Sequence, residues 1–293
     1  MSSPNILAGS PGGTGAGSPS YYSMGLRTYR VPLTLYATNR AKLLTALRSH
    51  HGLGPGGACA NVVVYLEGGN SETRHATDHE PMFRQESYFH YLFGVREPDV
   101  RGCVELDTGR ATLFIPKLPE EYATIMGRIK SCEEVRDEYG VDDVRYVEDV
   151  EAHLLEVVGR GTTRTKNNTG AGDDAKDEKK DGRILLLSGL NTDSGQTSAA
   201  PNLPKSLQSH ADPTSDLLHN ILAECRVIKS SHELQLMRHV TELTSLAHAY
   251  TMARTEPGMA EFQSESLFRH YAYYSFGARH LGYTAICLSL IHI

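Results

Sequence analysis

One stretch decides the fold of this chain: Phe83-Arg84-Gln85-Glu86-Ser87-Tyr88-Phe89-His90-Tyr91-Leu92-Phe93-Gly94-Val95. We predict that residues 90–95 form a strand, preceded by a helical turn at Glu86. The residues that follow favour a sheet, because two short apolar runs, 102–107 and 111–115, flank the turn Asp107-Thr108-Gly109-Arg110. That arrangement predicts a β-hairpin.

Helical and extended patterns alternate on both sides of this stretch. Leu43, Leu44 and Leu47 recur on one face and predict a helix over residues 36–48. The β-branched run 60–66 predicts a buried strand. Further patterns predict helices over 119–132 and 147–158 and a strand over 184–187. Strands that alternate with helices indicate an α/β domain.

From about Glu224 the chain changes character. Apolar residues recur at helical spacing after Ser231, which we predict to be the N-cap of a long helix. Pro257-Gly258 separates that helix from a second amphipathic helix that begins near Glu261. A domain boundary is therefore expected between residues 219 and 229.

Composition limits the class of protein. With 293 residues, 40% of them hydrophobic and 22% charged, the chain has the size of two globular domains. A net charge of -6 argues against nucleic acid as a partner, and no apolar run approaches the length of a membrane span. The 5 cysteines form no C-x-x-C pair, which predicts reduced thiols and a cytoplasmic protein.

Reactive motifs are weak throughout the sequence. His232-Glu233 is not followed by the second histidine of a zinc-protease helix, and His75 and His79 read as part of a polar loop. Neighbouring carboxylates such as Asp142-Asp143 read as solvated surface charge. Residue chemistry alone therefore assigns no catalytic group and no metal ligand to this chain.

Six blocks, in order, closely resemble the eukaryotic Xaa-Pro dipeptidases, or prolidases: 83–87, 89–98, 107–116, 190–195, 224–229 and 280–287. The resemblance runs from about Thr28 to Cys287. It implies an α/β aminopeptidase P-type (creatinase-like) N-terminal domain over 26–222, followed by the first helices of a pita-bread (α+β) metallopeptidase domain over 223–287.

Three segments lie outside the resemblance. Residues 1–25 are rich in Gly, Ser and Pro and are predicted to be a disordered leader. The charge run within 159–182 predicts a disordered insertion. Residues 288–293 read Leu-Ser-Leu-Ile-His-Ile, which matches a translated sequencing-library adapter, so we expect a non-native tail.

The resemblance implies a metallopeptidase that hydrolyses Xaa-Pro dipeptides with two manganese ions, which activate a bridging water. In the family two Asp, one His and two Glu hold the metals, and all five are expected beyond the end of this chain. The resemblance thus implies a fragment that is inactive by itself.

A few site residues carry over from the resemblance. Tyr283 and Ile286 are predicted to line the dipeptide pocket. The family assembles as a homodimer in which this domain reaches toward the partner's active site, so His90, Tyr91 and Ile125 are candidates for that contact. Ile125 stands where related enzymes are expected to have Trp.

Two alternatives remain open from the sequence. The chain is either part of a dipeptidase or a non-catalytic dimerisation or regulatory module. Within the pita-bread families, an aminopeptidase P-like exopeptidase is the other candidate, and the length of the peptide substrate discriminates between the two.

Overall fold

A five-stranded mixed sheet forms the centre of the amino-terminal region. The computed structural model describes residues 21–25, 28–50, 53, 61–160, 182–198, 200–212 and 216–288. The strands of the sheet are β3 (Val63–Glu67), β4 (Arg101–Glu105), β5 (Ala111–Ile115), β6 (Asp143–Tyr146) and β7 (Ile184–Leu186). Their order across the sheet is β6-β5-β4-β3-β7.

Antiparallel pairs occupy the middle of the sheet and parallel pairs its edges. Strand β4 runs antiparallel to β3, with Val64 opposite Val104, and antiparallel to β5, with Gly102 opposite Leu113. Strands β6 and β7 run parallel to β5 and β3. The predicted strands over 60–66 and 184–187 and the predicted hairpin are confirmed.

Helices cover both faces of the sheet. On one face, Val64 and Leu66 of β3 pack with α1 (Thr34–Ser49), α4 (Cys132–Tyr139) and α6 (Leu217–Val227). On the other, Val63 and Tyr65 pack with α5 (Val150–Gly159). Because both faces are covered, β3 reads as a continuous apolar run. The predicted α/β class and the helices over 36–48 and 147–158 are confirmed.

The predicted strand over residues 90–95 is wrong. Residues Ser87–Phe93 form helix α2. The Glu86 carboxylate accepts a hydrogen bond from the Phe89 N–H at 2.7 Å and caps the helix. Phe89, Leu92 and Phe93 then lie on one buried face at helical spacing. The turn at Glu86 therefore continues as a helix, which ends where Gly94 adopts φ 70°.

Gly94 lies against the aromatic ring of Tyr36. A Cβ atom at position 94 would be 2.3 Å from Cζ of Tyr36, closer than any real contact. The left-handed backbone also disfavours other residues at this position. Glycine thus both ends α2 and lets α1 approach it.

The segment after β5 differs from the predicted single helix over 119–132. A short helix, α3 (Tyr122–Met126), ends at Gly127, whose φ of 82° leaves the helical region. Ser131 then starts α4 through a capping box with Glu134. Strand β6, which follows α4, was not predicted, because its four residues carry too short a pattern.

Two small pairs of strands lie outside the main sheet. Tyr21–Tyr22 (β1) pairs with Val31–Pro32 (β2), so the end of the predicted disordered leader is ordered. Gly189–Leu190 (β8) pairs with Thr197–Ser198 (β9). Residues 1–20, most of the predicted insertion (161–181) and tail residues 289–293 lie outside the described residues.

Two antiparallel helices complete the described chain. Helix α7 spans Ser231–Met252 and α8 spans Glu261–Phe276. The predicted N-cap at Ser231 is wrong by one residue: Ser230 accepts the Glu233 N–H, while Glu233 accepts the Ser230 N–H at 2.6 Å. The three-residue spacing of this capping box requires the earlier serine. The rings of Tyr250 and Tyr271 stack across the pair at 4.4 Å.

Candidate functional site

A cavity of about 870 Å³ opens where α7 and the end of α6 meet α1 and α2. Its walls include Tyr36 on α1, Tyr88 and Tyr91 on α2, and Arg226 on α6. Leu236 and Met237 of α7 face it from the opposite side. The stretch that decides the fold thus also forms one wall of the candidate site.

An arginine stacked on tyrosines marks the centre of this surface. The Arg226 guanidinium lies 4.8 Å from the ring centroid of Tyr88 and 5.8 Å from that of Tyr91. Both distances fall within the range of cation–π attraction. The stacking orients Arg226 toward α2 and joins α6 to the aromatic wall.

His90 and Tyr91 are two of the residues predicted from sequence, and both line the cavity. Burial by the cavity walls lowers the pKa of His90, and the positive charge of Arg96 lowers it further. Burial also raises the pKa of Tyr91, as does the nearby Glu233 carboxylate. Tyr91 therefore stays a neutral phenol, and its hydroxyl donates to the Cys225 carbonyl at 3.2 Å.

Polar contacts fix α7 against α1. Lys42 Nζ donates to the Ile228 carbonyl at 2.6 Å and to Glu233 Oε2 at 3.2 Å. Burial alone would raise the pKa of Glu233, but hydrogen bonds from Ser230 and the charge of Lys42 lower it. Glu233 is thus held as a carboxylate at the edge of the cavity.

The other predicted site residues lie elsewhere. Ile125 is 86% exposed on α3, away from the cavity lining. Tyr283 and Ile286 are 84% and 78% exposed, and residues 283–287 form no strand. His280, three residues before Tyr283, lines the cavity. Arg84, which also lines it, donates to the Leu281 carbonyl at 2.8 Å.

Neither a metal centre nor a membrane span is seen in the part of the chain that the structure describes. There, no group of three or more His, Cys, Asp or Glu side chains could hold a metal ion. None of the described helices is both long and apolar enough to cross a bilayer.

Comparison with known families identifies the amino-terminal region. The family described as "Aminopeptidase P, N-terminal domain" matches residues 36–165. That region is therefore similar to an aminopeptidase P N-terminal domain. The match covers the sheet strands β3 to β6 together with helices α1 to α5. It therefore includes most of the sheet and most of the helices that pack on its two faces.

Curated relatives extend the similarity along the chain. Xaa-Pro dipeptidase from Homo sapiens is 37% identical over 272 residues, which is 93% of this chain and 49% of the relative. The enzyme of that name from Mus musculus is 38% identical over 92% of this chain and 48% of the relative. A probable Xaa-Pro aminopeptidase from Verticillium alfalfae is 27% identical over 78% of this chain and 43% of the relative.

The similarity to Xaa-Pro dipeptidases thus extends over more than nine-tenths of the chain. It spans about half the length of the curated relatives it matches. The identity extends past the N-terminal domain, so α6, α7 and α8 belong to the shared sequence as well.

Solved structures share the fold. A putative aminopeptidase P from Bacillus anthracis matches with a TM-score of 0.58 at 19% identity, over 84% of this chain and 52% of that one. Zinc-substituted aminopeptidase P from E. coli, in complex with product, matches with a TM-score of 0.53 at 16% identity, over 85% and 51%. These likenesses establish the aminopeptidase P fold.

Sequence reasoning missed most of the cavity. Besides His90 and Tyr91, its polar lining includes Arg84, Arg96, Arg226, Lys229 and His280. No spacing rule joins residues so far apart in sequence. The sequence offers one clue to the cavity. Two basic residues, Arg226 and Lys229, flank the apolar pair Val227-Ile228, which is exposed at the end of α6.

Proposed function

We propose that the complete protein is a metal-dependent dipeptidase that hydrolyses Xaa-Pro dipeptides. The observation that carries this proposal is the difference in identity between two groups of relatives. Dipeptidases are 37–38% identical over more than nine-tenths of the chain, whereas the fungal aminopeptidases are 25–27% identical over 70–78%. The sequence is thus closer to enzymes that cleave two-residue substrates.

The proposal includes two manganese ions, a pita-bread catalytic domain, a homodimer and a cytoplasmic location. A zinc-substituted structural relative supports the need for a metal, and the family resemblance supports manganese. Such ions would supply Lewis-acid activation of a water molecule and of the scissile carbonyl. We propose that their ligands belong to the part of the relatives that this chain does not match.

Within this chain, Tyr283 and Ile286 are proposed to contact the dipeptide. Both side chains are exposed and neither lines the described cavity, so the assignment rests on the family resemblance. His90, Tyr91 and Ile125 are proposed to face the partner subunit. By itself, the 293-residue chain is proposed to hydrolyse nothing.

The test is a peptidase assay on protein expressed from the reading frame continued beyond the codon for Cys287. We expect manganese-dependent cleavage of Gly-Pro, loss of activity in EDTA and no cleavage of Gly-Pro-Ala. Preferential cleavage of the tripeptide would instead favour an aminopeptidase P. Failure to cleave either peptide with any divalent metal would refute a peptidase and favour the non-catalytic module.

A matched pair of variants tests the substrate contact. Tyr283 and Tyr274 are equally exposed, at 84% and 83%. In the active protein, Tyr283→Ala is expected to lower kcat/KM for Gly-Pro at least about tenfold, as loss of one well-placed contact does. Tyr274→Ala should leave it unchanged. Equal effects of the two changes would remove Tyr283 from the pocket.

A further inference from the structure

We propose that the cavity between α2 and α7 binds a small organic oxyanion, a carboxylate or phosphate group attached to an apolar body. This inference is independent of the dipeptidase proposal, since it rests only on the cavity's own residues. It assigns a ligand class to a surface that the comparisons leave without one.

The charge of the cavity is opposite to that of the chain. Its lining carries four basic side chains, Arg84, Arg96, Arg226 and Lys229, and one carboxylate, Glu233. The chain as a whole has a net charge of -6. Concave surfaces lined by one sign of charge concentrate ions of the other sign. The lowered pKa of His280, which burial and the charge of Arg84 produce, fits this positive field.

Three of these four cations have no carboxylate partner in the described part of the chain. Arg96 pairs with Glu138 at 2.7 Å, and the cavity's own Glu233 pairs with Lys42. No ion pair within 4.0 Å joins Arg84, Arg226 or Lys229 to any described acidic group. Like charges gathered around one cavity repel one another, and a bound anion would relieve that repulsion.

The geometry of Arg226 favours an oxyanion over a simple counter-ion. Its guanidinium carbon lies over the rings of Tyr88 and Tyr91, and its five N–H donors lie in the plane of the guanidinium. No hydrogen bond from these N–H groups to another described residue is seen. A fork of parallel donors matches the two oxygens of a carboxylate or phosphate.

The remaining walls suit an apolar body next to the charged group. Leu35, Phe83, Leu236 and Met237 line the cavity beside the tyrosines. Its volume of about 870 Å³ is in the range of sites for small molecules. A ligand with an aromatic or branched aliphatic part would therefore cover apolar surface while its charged group reaches Arg226.

The experiment uses three probes on the full 293-residue chain: 3-phenylpropionate, phenyl phosphate and the neutral 3-phenylpropanamide. Binding is followed by NMR through the backbone amides of Ser87, Tyr88 and Lys229. We expect the acids to bind with a Kd of about 1 mM or below and the amide at least about tenfold more weakly. The ratio of the two acids tells carboxylate from phosphate.

Matched variants locate the site. Arg226→Gln should weaken binding of the better acid about tenfold. Arg254→Gln is the control, since Arg254 also stacks on a tyrosine, Tyr250, at 3.7 Å but lies outside the cavity. Arg226→Lys keeps the positive charge but loses the fork of donors, so its affinity should lie between those of wild type and Arg226→Gln. This variant also serves as a control for misfolding.

Three results would overturn the proposal. One is equal binding of the acids and the amide, and another is an Arg254→Gln effect as large as that of Arg226→Gln. The third is no saturable shift of the three amides up to about 20 mM of either acid, well above the affinity expected for ligands of this size.

Discussion

Helices α1 and α7 differ sharply in how much of each is buried. Seven of the 16 residues of α1 are buried. Leu43, Leu44 and Leu47 lie in the core that covers one face of the sheet, and Asn39 and Arg40 donate to carbonyls of α2. Only Leu243 and Ala247 are buried among the 22 residues of α7. Apolar residues such as Met237, Val240 and Met252 are exposed there.

The difference shows that the two regions are held together by different forces. Burial of apolar area stabilises the sheet region, at about 25 cal/mol per Å². The α7–α8 pair instead relies on a capping box, stacked aromatic rings and polar contacts to α1. Equivalent substitutions should therefore cost much more in the first region than in the second.

The largest contrast is expected from removing a leucine side chain in each region. Leu47 on α1 is fully buried, whereas Leu246 on α7 is 40% exposed. Leu47→Ala should lower the free energy of unfolding by about 2–5 kcal/mol, and Leu246→Ala by less than about 1 kcal/mol. Urea denaturation followed by circular dichroism measures both, and equal losses would contradict the contrast.

Acid should destabilise the sheet region through His153. This side chain on α5 is buried against Phe114, and its ring nitrogens have no hydrogen-bond partner in the described structure. Burial lowers the pKa of His153 below 6.5, and Arg145 and Arg160 lower it further against the opposing carboxylates of Glu105 and Glu156. The unfolded chain thus takes up a proton first, so stability falls as pH drops below 6.5.

His153→Phe isolates this effect because it keeps the ring and removes the titration. The slope of unfolding free energy against pH should become shallower for the variant between about pH 7 and pH 5, by up to the slope of one proton, about 1.4 kcal/mol per pH unit. His239→Phe makes the same change on α7, so that the two regions can be compared. Parallel pH profiles for wild type and His153→Phe would rule out His153 as the group responsible.

A moderate effect is expected at the start of α2. Glu86→Ala removes the acceptor for the Phe89 N–H and should cost about 1 kcal/mol. Glu86→Asp keeps a carboxylate at the N-cap and should restore most of that loss. Thermal unfolding of both variants measures the difference; if alanine and aspartate behave alike, the cap does not hold α2.

The smallest effect is expected where the two regions meet. Lys42→Met removes the half-buried contact to Glu233 and should cost less than about 1 kcal/mol. Hydrogen exchange should increase mainly in the first turns of α7. Lys205→Met, which changes an exposed lysine, is the control, and a larger global loss from Lys42→Met would show that α7 is more strongly coupled to the sheet than its burial indicates.

Local sequence patterns correctly predicted those elements whose flanking residues favour the same structure. The hairpin of β4 and β5 has its turn residues in place, and α1 has a single apolar face. Helix α2 was misread because Tyr88 to Phe93 is apolar or aromatic at nearly every position, which fits a buried strand and a buried helix equally. The capping carboxylate of Glu86 decides between them.

The candidate site was less predictable than the fold. Arg84, Arg226 and His280 lie on three separate segments, and only the packing of α6 and α7 on α1 and α2 brings them to one cavity. The family resemblance indicated His90 and Tyr91, but as candidates for contact with a partner subunit and not as walls of this cavity. Charge pairing is also invisible in sequence, since Lys42 and Glu233 are 191 positions apart.

The contact between Gly94 and Tyr36 constrains how this protein can evolve. Tyr36 also lines the cavity, so a side chain gained at position 94 would displace a ring that shapes it. Replacement of the glycine needs an earlier exchange of the tyrosine for a smaller residue, and a new residue that tolerates the left-handed backbone. The two positions should therefore change together and in that order, so that the end of one helix and the shape of the cavity are inherited as a unit.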